Sequence, residues 1–417
     1  MEPKIINNII LILLVAWLLG DLFQRLRLPR LLGELMAGLL LGPPLLGWVQ
    51  PREGLTVLAD LGIFFLMFYS GMEMDPRELL EHFWVCLAVA VGGFVLPFAM
   101  GYGVAILFGA TVFQGLFMAM GLSVTALAVQ ARVLQDMEIH HSKVGHIIIG
   151  AAIVDDILAL VAFSILTGLA KTGQVDFIRI LILGAEVIAF FGGTILLGHF
   201  VLPKITRRLT DREAKGFTFA LLAALIMGFL AEMVGLHLII GAFLAGQFVR
   251  KEVVEPDLYR RLHDRFFNII YGFLGPIFFV SLSFFVTLAL PRQDWGFLAA
   301  VVAVAVVGKV GGCGLPVLLI RRNWREALVI GLGMNGRGAV ELVVVTVVLG
   351  LSDDLIAQNV ISAPLLTQDQ FSALILMAFV ATFIAPIALK WAVTNTCAPS
   401  EKEQICRLWD DTAMSSF

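Results

Sequence analysis

The stretch from residue 151 to residue 160 reads Ala151-Ala152-Ile153-Val154-Asp155-Asp156-Ile157-Leu158-Ala159-Leu160. The apolar run around it extends from residue 144 to residue 170, which is longer than the roughly 20 residues that a helix needs to cross a bilayer. An ionisable group at the bilayer centre costs at least about 2.5–3.5 kcal/mol and is usually kept for a function. We therefore predict a membrane-spanning helix whose two central carboxylates are functional.

The composition of the whole chain also indicates a membrane protein. Of its 417 residues 15% are charged and 59% are apolar, and the mean hydropathy is +0.93, whereas soluble domains have about 25% charged residues. The net charge of -3 provides no field that would hold a nucleic acid, so we exclude that class of partner. The four cysteines have no metal-ligand spacing and are interpreted as packing residues or free thiols.

About thirteen runs are apolar enough to span a membrane. Transmembrane strands would show alternating blocks of about ten residues, which these unbroken Leu, Val, Ile and Phe runs do not. The sequence therefore predicts an all-α polytopic membrane protein. The predicted spans are 5–23, 31–47, 55–72, 83–109, 113–134, 144–170, 177–203, 214–233, 235–250, 266–290, 295–320, 326–350 and 370–393.

The distribution of basic residues between alternate loops predicts the orientation. Nineteen Lys and Arg residues lie in or beside the loops after odd-numbered spans, including Arg260, Arg261 and Arg265, and five lie on the other side. Basic residues near the ends of spans stay in the cytoplasm. We therefore expect the N-terminus outside, the C-terminus in the cytoplasm, and the chain in a cell inner membrane or plasma membrane.

Two phrases occur twice in the same order, which predicts an internal repeat. The glycine-containing segment 35–42 resembles 240–246, and the segment 61–65 resembles 274–279. Seven spans separate each pair, and an odd offset gives the two copies opposite orientations, as in the inverted repeats of secondary transporters. The predicted organisation is a transmembrane domain over 1–393, with repeat one at 5–170, a linker helix at 177–203 and repeat two at 214–393, followed by a short cytoplasmic tail at 394–417.

A lysine in the eleventh span requires a counter-charge. Lys309 lies near the middle of that span, in Val306-Val307-Gly308-Lys309-Val310-Gly311-Gly312-Cys313-Gly314, where its ammonium is too central to reach water easily. The glycines around it allow another helix to approach closely. The aspartates of the sixth span are the obvious partners, and a structural ion pair without a role in turnover is the alternative.

Two spans contain segments that favour a break in the helix. The fifth contains Gly121-Leu122-Ser123-Val124-Thr125-Ala126, and the twelfth contains Gly331-Leu332-Gly333-Met334-Asn335-Gly336-Arg337-Gly338. Breaks at corresponding places in two repeats are typical of a transport site, because half-helix ends and freed carbonyls bind ions. We expect Asn335, Arg337 and Glu341 to stabilise the broken segment, with Arg337 and Glu341 paired four residues apart on one helix face.

A histidine cluster precedes the centre of the sixth span. His140, His141 and His146 have side chains whose ordinary titration range suits a pH sensor, and an ordinary loop is the alternative. The sequence leaves both interpretations open.

Together these residues resemble a known family. The acids of Val154-Asp155-Asp156, the late lysine, the fifth-span segment 122–126 and the twelfth-span Asn335-Gly336-Arg337-Gly338-Ala339-Val340-Glu341-Leu342 resemble the monovalent cation:proton antiporter-2 family, especially bacterial sodium/proton antiporters with two aspartates. The resemblance covers all thirteen spans. It implies a homodimer in which a core of spans 4–6 and 11–13 moves against a scaffold in elevator fashion.

The same resemblance implies roles for individual residues. Asp156 would be the carboxylate that binds the cation, Asp155 would pair with Lys309, and Ser123 and Thr125 would lend oxygen ligands. Relatives in the potassium-efflux branch carry a cytosolic nucleotide-binding domain. The residues after the last predicted span are too few for one, so regulation by a dinucleotide is not expected.

The predicted function is exchange of a monovalent cation for protons, without a cofactor and without enzyme activity. A carboxylate, hydroxyls and carbonyls suit a dehydrated cation, and protonation of the same carboxylate releases it. Release of a second proton from Lys309 would make the exchange electrogenic. The alternative is a sodium-coupled symporter or a cation channel on a similar scaffold, and the choice among Na⁺, Li⁺ and K⁺ stays open.

Overall fold

The computed structural model describes most of the chain, and its regular structure is helical, with no strand in the described ranges. These ranges are residues 3–26, 28–74, 77, 81–172, 177–197, 213–234, 236–249, 256–286, 295–338 and 348–396, the last without 350, 354, 359 and 362.

The described α-helices follow one another along the chain. In order they are α1 (Pro3–Arg25), α2 (Arg30–Leu41), α3 (Glu53–Glu73), α4 (Phe83–Leu107), α5 (Val112–Ser123), α6 (Leu127–Asp136), α7 (Lys143–Thr172), α8 (Phe177–Leu196), α9 (Glu213–Met233), α10 (Leu238–Gly246), α11 (Pro256–Ile269), α12 (Gly275–Leu282), α13 (Trp295–Arg321), α14 (Trp324–Gly333) and α15 (Gln368–Thr396).

Each predicted span overlaps at least one of these helices. Nine segments in the described part of the chain are long and apolar enough to cross a membrane, and one of them runs through α5 and α6 as a single span. The chain is therefore a multi-pass helical membrane protein. Its total number of spans stays a prediction.

The tenth span begins earlier than the sequence predicts. It was expected at residue 266, but α11 begins at Pro256, so Arg260, Arg261 and Arg265 lie on a helix instead of a loop. The reason is amphipathicity, because α11 exposes its arginines and buries one residue in four. The buried residues of α11 are Leu258, Leu262 and Phe266, and Ile270 continues the same face at the start of the next turn. A π-helical turn at Ile270–Leu274 then joins α11 to α12.

The chain divides into two compact units. The first comprises Met1–Leu19, Gly33–Pro76 and Asp176–Phe284, and the second comprises Gly20–Leu32, Arg77–Val175 and Phe285–Phe417. The second unit therefore holds α4 to α7 and α13 to α15, which correspond to predicted spans 4–6 and 11–13. The family resemblance implies a moving core made of the same spans, and that role stays a prediction.

Glycines allow the helices of the first unit to pack backbone against backbone. A Cβ atom at Gly38 on α2 would collide with the carbonyl oxygen of Val280 on α12. A Cβ atom at Gly71 on α3 would collide in the same way with the carbonyl oxygen of Phe243 on α10. The two short helices that carry the repeated glycine phrases thus both pack closely. The inverted repeat itself stays a prediction.

A polar cluster joins α3 to α11 inside the first unit. The Tyr69 hydroxyl donates to Glu73 Oε1 at 2.8 Å and lies 2.7 Å from His263 Nε2. The same His263 nitrogen lies 3.0 Å from Glu73 Oε1. These contacts give a partly buried glutamate hydrogen-bond partners on two helices.

Close packing of α4 on α13 positions the lysine of the second unit. A Cβ atom at Gly92 would collide with the carbonyl oxygen of Gly312, and one at Gly93 would collide with the Cys313 sulfur. With side chains absent at these positions the two helices come close enough to exclude water. Lys309 is consequently fully buried.

Candidate functional site

The first break lies between α5 and α6, where the sequence predicts it. A capping box starts α5, because Thr111 accepts a hydrogen bond from the Gln114 amide and Gln114 accepts one from the Thr111 amide. The helix ends at Ser123, the backbone of Val124 is extended, and α6 begins at Leu127. The intervening residues are buried, so their freed carbonyls need partners within the protein.

Lys309 provides one of those partners. Its Nζ donates to the carbonyl oxygen of Ser123 at 2.7 Å and lies 3.2 Å from both carboxylate oxygens of Asp155. The lysine and the aspartate are both fully buried. The contact agrees with the expectation that the sixth-span aspartates supply the counter-charge, and it assigns that partnership to Asp155.

Arg337 provides the other partners. Its Nη2 donates to the carbonyl oxygen of Leu122 at 2.6 Å, and its Nη1 donates to the carbonyl oxygen of Val124. Three consecutive carbonyls of the first break, those of residues 122, 123 and 124, therefore each accept a hydrogen bond from a buried cation. The guanidinium satisfies this break because it is planar and always charged.

The second break follows α14, which ends at Gly333. The Thr382 hydroxyl on α15 accepts a hydrogen bond from the Arg337 amide at 3.1 Å and donates to the Arg337 carbonyl at 2.7 Å. The Ala126 amide donates to the Gly336 carbonyl at 3.1 Å. Thr382 thus holds the second break against α15, and the Ala126 amide holds it against the first break.

Asp156 lies beside the Asp155–Lys309 pair without joining it. Its side chain is 9% exposed, and its Oδ1 has no hydrogen-bond partner among the described residues. Thr125 Oγ1 is buried and also lacks a partner in that part of the chain. The Ser123 hydroxyl donates to the Ala119 carbonyl at 2.8 Å, which leaves the lone pairs of its oxygen for a ligand.

The predicted stabilisers of the broken segment are described only in part. The guanidinium of Arg337 binds carbonyls of the other break, because those carbonyls are buried and freed from the helix, and its expected pair with Glu341 stays a prediction. Glu341 itself lies outside the described residues. Asn335 makes no side-chain hydrogen bond among the described residues, so its amide does not hold the break.

Two residues of the crossing were not predicted. Thr382 is one of two hydroxyl residues in the predicted span 370–393, and threonine in a span usually bonds within its own helix, so nothing in the sequence marks it. Gln130 had a weak signal, because an amide inside a span usually has a partner on another helix. Its Nε2 donates to the Gly336 carbonyl at 3.4 Å.

The histidine cluster divides into two parts. His146 lies in the first turn of α7, is 3% exposed, and its Nδ1 is 2.8 Å from the Ser142 carbonyl oxygen. His140 and His141 precede α7 with ring centroids 3.9 Å apart. Neither the pH-sensor interpretation nor the loop interpretation is tested by these positions.

The first break, the segment that follows α14 and the buried charges beside them define a class of protein. A small cation suits this arrangement of ordered oxygens and a buried ion pair next to a carboxylate oxygen that has no partner among the described residues. A broken helix in a multi-pass protein is typical of secondary transporters. Residues 9–395 match the family described as "Sodium/hydrogen exchanger, transmembrane". The chain belongs to this family of cation/proton antiporters and is a transporter, not an enzyme.

Individual relatives agree with this assignment. The chain is 31% identical over 394 residues to the Na(+)/H(+)-K(+) antiporter GerN of Bacillus cereus. The aligned region covers 94% of this chain and 97% of GerN. It is 29% identical to cation/H(+) antiporter 18 of Arabidopsis thaliana over 96% of this chain, but it spans only 50% of that longer relative.

A solved structure has the same fold. The sodium proton antiporter MjNhaP1 from Methanocaldococcus jannaschii aligns with a TM-score of 0.74 over 94% of this chain and 97% of that one, at 17% identity. The likeness supports the helical architecture described above.

Proposed function

We propose that this chain exchanges a monovalent cation, with Na⁺ first among Na⁺, Li⁺ and K⁺, for protons across a cell membrane. The observation that carries the proposal is the buried Asp156, whose Oδ1 is unpartnered among the described residues beside the Asp155–Lys309 pair. The name of GerN includes both sodium and potassium, which supports a monovalent cation and keeps K⁺ as the second choice.

Cation and proton compete for one carboxylate in this mechanism. Ionised Asp156 binds the cation together with oxygens of Thr125 and Ser123, which are hard ligands suited to a dehydrated alkali ion. Protonation removes the charge that holds the ion, so the site carries either a proton or a cation. Exchange then uses the gradient of one ion to drive the other and needs neither ATP nor a cofactor.

The site crosses the membrane by an elevator motion of the second unit. All the site residues named here belong to that unit, and so do the hydrogen bonds that hold the two breaks together. Moving the unit as a body preserves these contacts, whereas opening the site within the unit would break them. The first unit then serves as the scaffold of a homodimer, as the family resemblance implies.

Exchange in proteoliposomes tests the proposal. With a pH-sensitive dye inside, adding each cation outside should move protons in wild-type protein, and Asp156→Asn should abolish that movement because it keeps the shape but removes the titratable charge. Asp60→Asn is the matched control, since it makes the same chemical change on α3, outside the crossing.

Near-normal exchange by Asp156→Asn at saturating cation would contradict the binding assignment. Uptake of an organic solute without proton movement would favour a symporter, and cation flux without any coupled proton movement would favour a channel. Loss of exchange in Asp60→Asn would show that the assay responds to any lost carboxylate.

The orientation has its own test. With the N-terminus outside and the C-terminus in the cytoplasm, a reporter that folds only in the cytoplasm should be active when fused after Phe417. The same reporter fused before Met1 should be inactive. The reverse pattern would overturn the predicted orientation.

A further inference from the structure

Two amide side chains at the crossing are buried without a full set of hydrogen bonds. Asn335 is 1% exposed and Gln130 is 2% exposed. Among the residues that the structure describes, neither amide atom of Asn335 has a partner, and the same holds for Gln130 Oε1. Only Gln130 Nε2 is used, by its long bond to the Gly336 carbonyl.

Another buried glutamine shows what a structural amide looks like in this chain. Gln114 is 7% exposed, its Oε1 accepts from the Thr111 amide at 3.0 Å, and its Nε2 donates to the Pro364 carbonyl at 3.1 Å. Both ends of that side chain are satisfied. A buried amide without partners is destabilising, so a purely structural role does not account for Asn335 or for Gln130 Oε1.

Both unsatisfied amides lie beside the same residue of the second break. Asn335 directly precedes Gly336, and Gln130 lies one helical turn after Ala126, whose amide also binds the Gly336 carbonyl. A Cβ atom at Gly336 would come within 3.6 Å of Gln130 Cδ. The two amides therefore lie where the breaks meet: Asn335 is on the second break, and Gln130 is on α6, which directly follows the segment that carries Ser123 and Thr125.

We infer that Asn335 and Gln130 supply neutral oxygen ligands to the transported cation and contribute to its selection. The inference rests on the proposed function, in which Asp156 supplies the negative charge. Amide oxygens are hard, uncharged ligands, and the number and field strength of such oxygens distinguish ions of equal charge. A bound cation would also satisfy the amide oxygens that the protein leaves unpaired.

Leucine substitutions test the inference, because they keep the volume and remove the oxygen. Asn335→Leu and Gln130→Leu should each raise the half-saturating concentration of the preferred cation about tenfold, as expected for one lost bond to a charged ligand. Their melting temperatures in cation-free buffer should be equal to or above wild type, because an unsatisfied amide is gone. Exchange in proteoliposomes and thermal unfolding across a cation titration give both readouts.

Gln114→Leu is the matched control. It removes a satisfied buried amide outside the crossing, so it should lower the melting temperature and leave the cation dependence unchanged. Unchanged cation dependence in both Asn335→Leu and Gln130→Leu would overturn the inference, and so would loss of folding in either variant, because the amide would then be structural.

These experiments distinguish failure of the inference about the two amides from failure of the proposed exchange function. If Asp156→Asn abolishes exchange while the leucine variants keep wild-type affinity, only the inference fails. If wild-type liposomes move no protons, the proposed function fails. The thermal titration then still tests the inference, because it measures binding of Na⁺, Li⁺ or K⁺ without transport.

Discussion

The two breaks occupy corresponding places in the two predicted repeats but have opposite electrostatic roles. The first break presents carbonyl oxygens at residues 122, 123 and 124, and each accepts a hydrogen bond from a buried cation. The second break contributes one of those cations, Arg337. Its own backbone is hydrogen-bonded to uncharged groups, the Thr382 hydroxyl and the Ala126 amide. The two breaks are therefore complementary: the first accepts hydrogen bonds and the second donates them.

The two cations at the first break also differ from each other. Lys309 has a buried carboxylate partner, whereas Arg337 bonds only to carbonyls and to Thr382 within the described residues. An arginine side chain does not lose its proton in proteins, but a buried lysine does so readily. We infer that Arg337 is a fixed part of the structure and that Lys309 is the cation whose charge can change.

Removing the fixed cation should have the largest effect. Arg337→Leu leaves the buried carbonyls of Leu122 and Val124 without donors, at a cost of roughly 1–3 kcal/mol for each. We expect little folded protein, or a strongly lowered melting temperature, measured by the yield of monodisperse protein and by thermal unfolding.

Arg337→Lys separates charge from geometry. A lysine retains the charge but presents a single donor group where the guanidinium presents a fork, so part of the stability should be lost and the fold retained. Wild-type stability in Arg337→Leu would show that the two carbonyls do not depend on the guanidinium, and the donor–acceptor contrast between the breaks would not hold.

Removing the Thr382 hydroxyl, which bonds to the backbone of the second break, should have an intermediate effect. Thr382→Val keeps the shape but removes both hydrogen bonds to the Arg337 backbone, at a net cost of about 1–3 kcal/mol for the two bonds. Because the shifted backbone also moves the guanidinium, the maximal exchange rate should fall together with the melting temperature.

Thr382→Ser is the control for this variant, since it restores the hydroxyl without the methyl group. It should recover most of the rate and of the stability. An equal loss of rate and stability in the serine and valine variants would assign the effect to packing of side-chain atoms other than the hydroxyl. The second break would then not depend on the two hydrogen bonds of Thr382.

The sequence predicts the charged parts of this site better than their partners. Central charges stand out in an apolar run, so Asp155, Asp156 and Lys309 are recognisable, and glycine-rich interruptions mark both breaks. Which aspartate meets the lysine depends on the rotation of α7 against α13, and spacing alone does not give it; the family resemblance supplied that assignment.

The partners of Arg337 could not be predicted for a different reason. A spacing of four residues favours a pair with Glu341 within one helix. That rule says nothing about the carbonyls of the other break, which lie 213 and 215 residues away in the sequence. Backbone carbonyls carry no sequence signature, so neither they nor the hydroxyl of Thr382 can be identified as ligands before the two breaks are placed together.

The smallest change should be electrical, and it concerns the cation that can lose its proton. Lys309 Nζ lies 3.2 Å from the Asp155 carboxylate. We predict that binding of a cation at the adjacent Asp156 disturbs this pair and releases the lysine proton. Two protons would then be exchanged for one monovalent cation, and one net charge would cross in each cycle.

This charge makes transport sensitive to the membrane potential and separates Lys309 from Arg337. A potential of 100 mV contributes about 2.3 kcal/mol for each elementary charge that crosses the membrane. The turnover rate responds only to the share of this energy that acts on the slowest step. Wild-type protein in liposomes should therefore turn over faster when a valinomycin potential favours net proton entry, with potassium excluded as substrate. Lys309→Gln, where it remains active, should lose that dependence because only Asp156 then exchanges a proton for the cation.

Wild-type rates that do not change with the potential would mean that the lysine stays charged throughout the cycle. Both buried cations would then be fixed, and the exchange would be electroneutral.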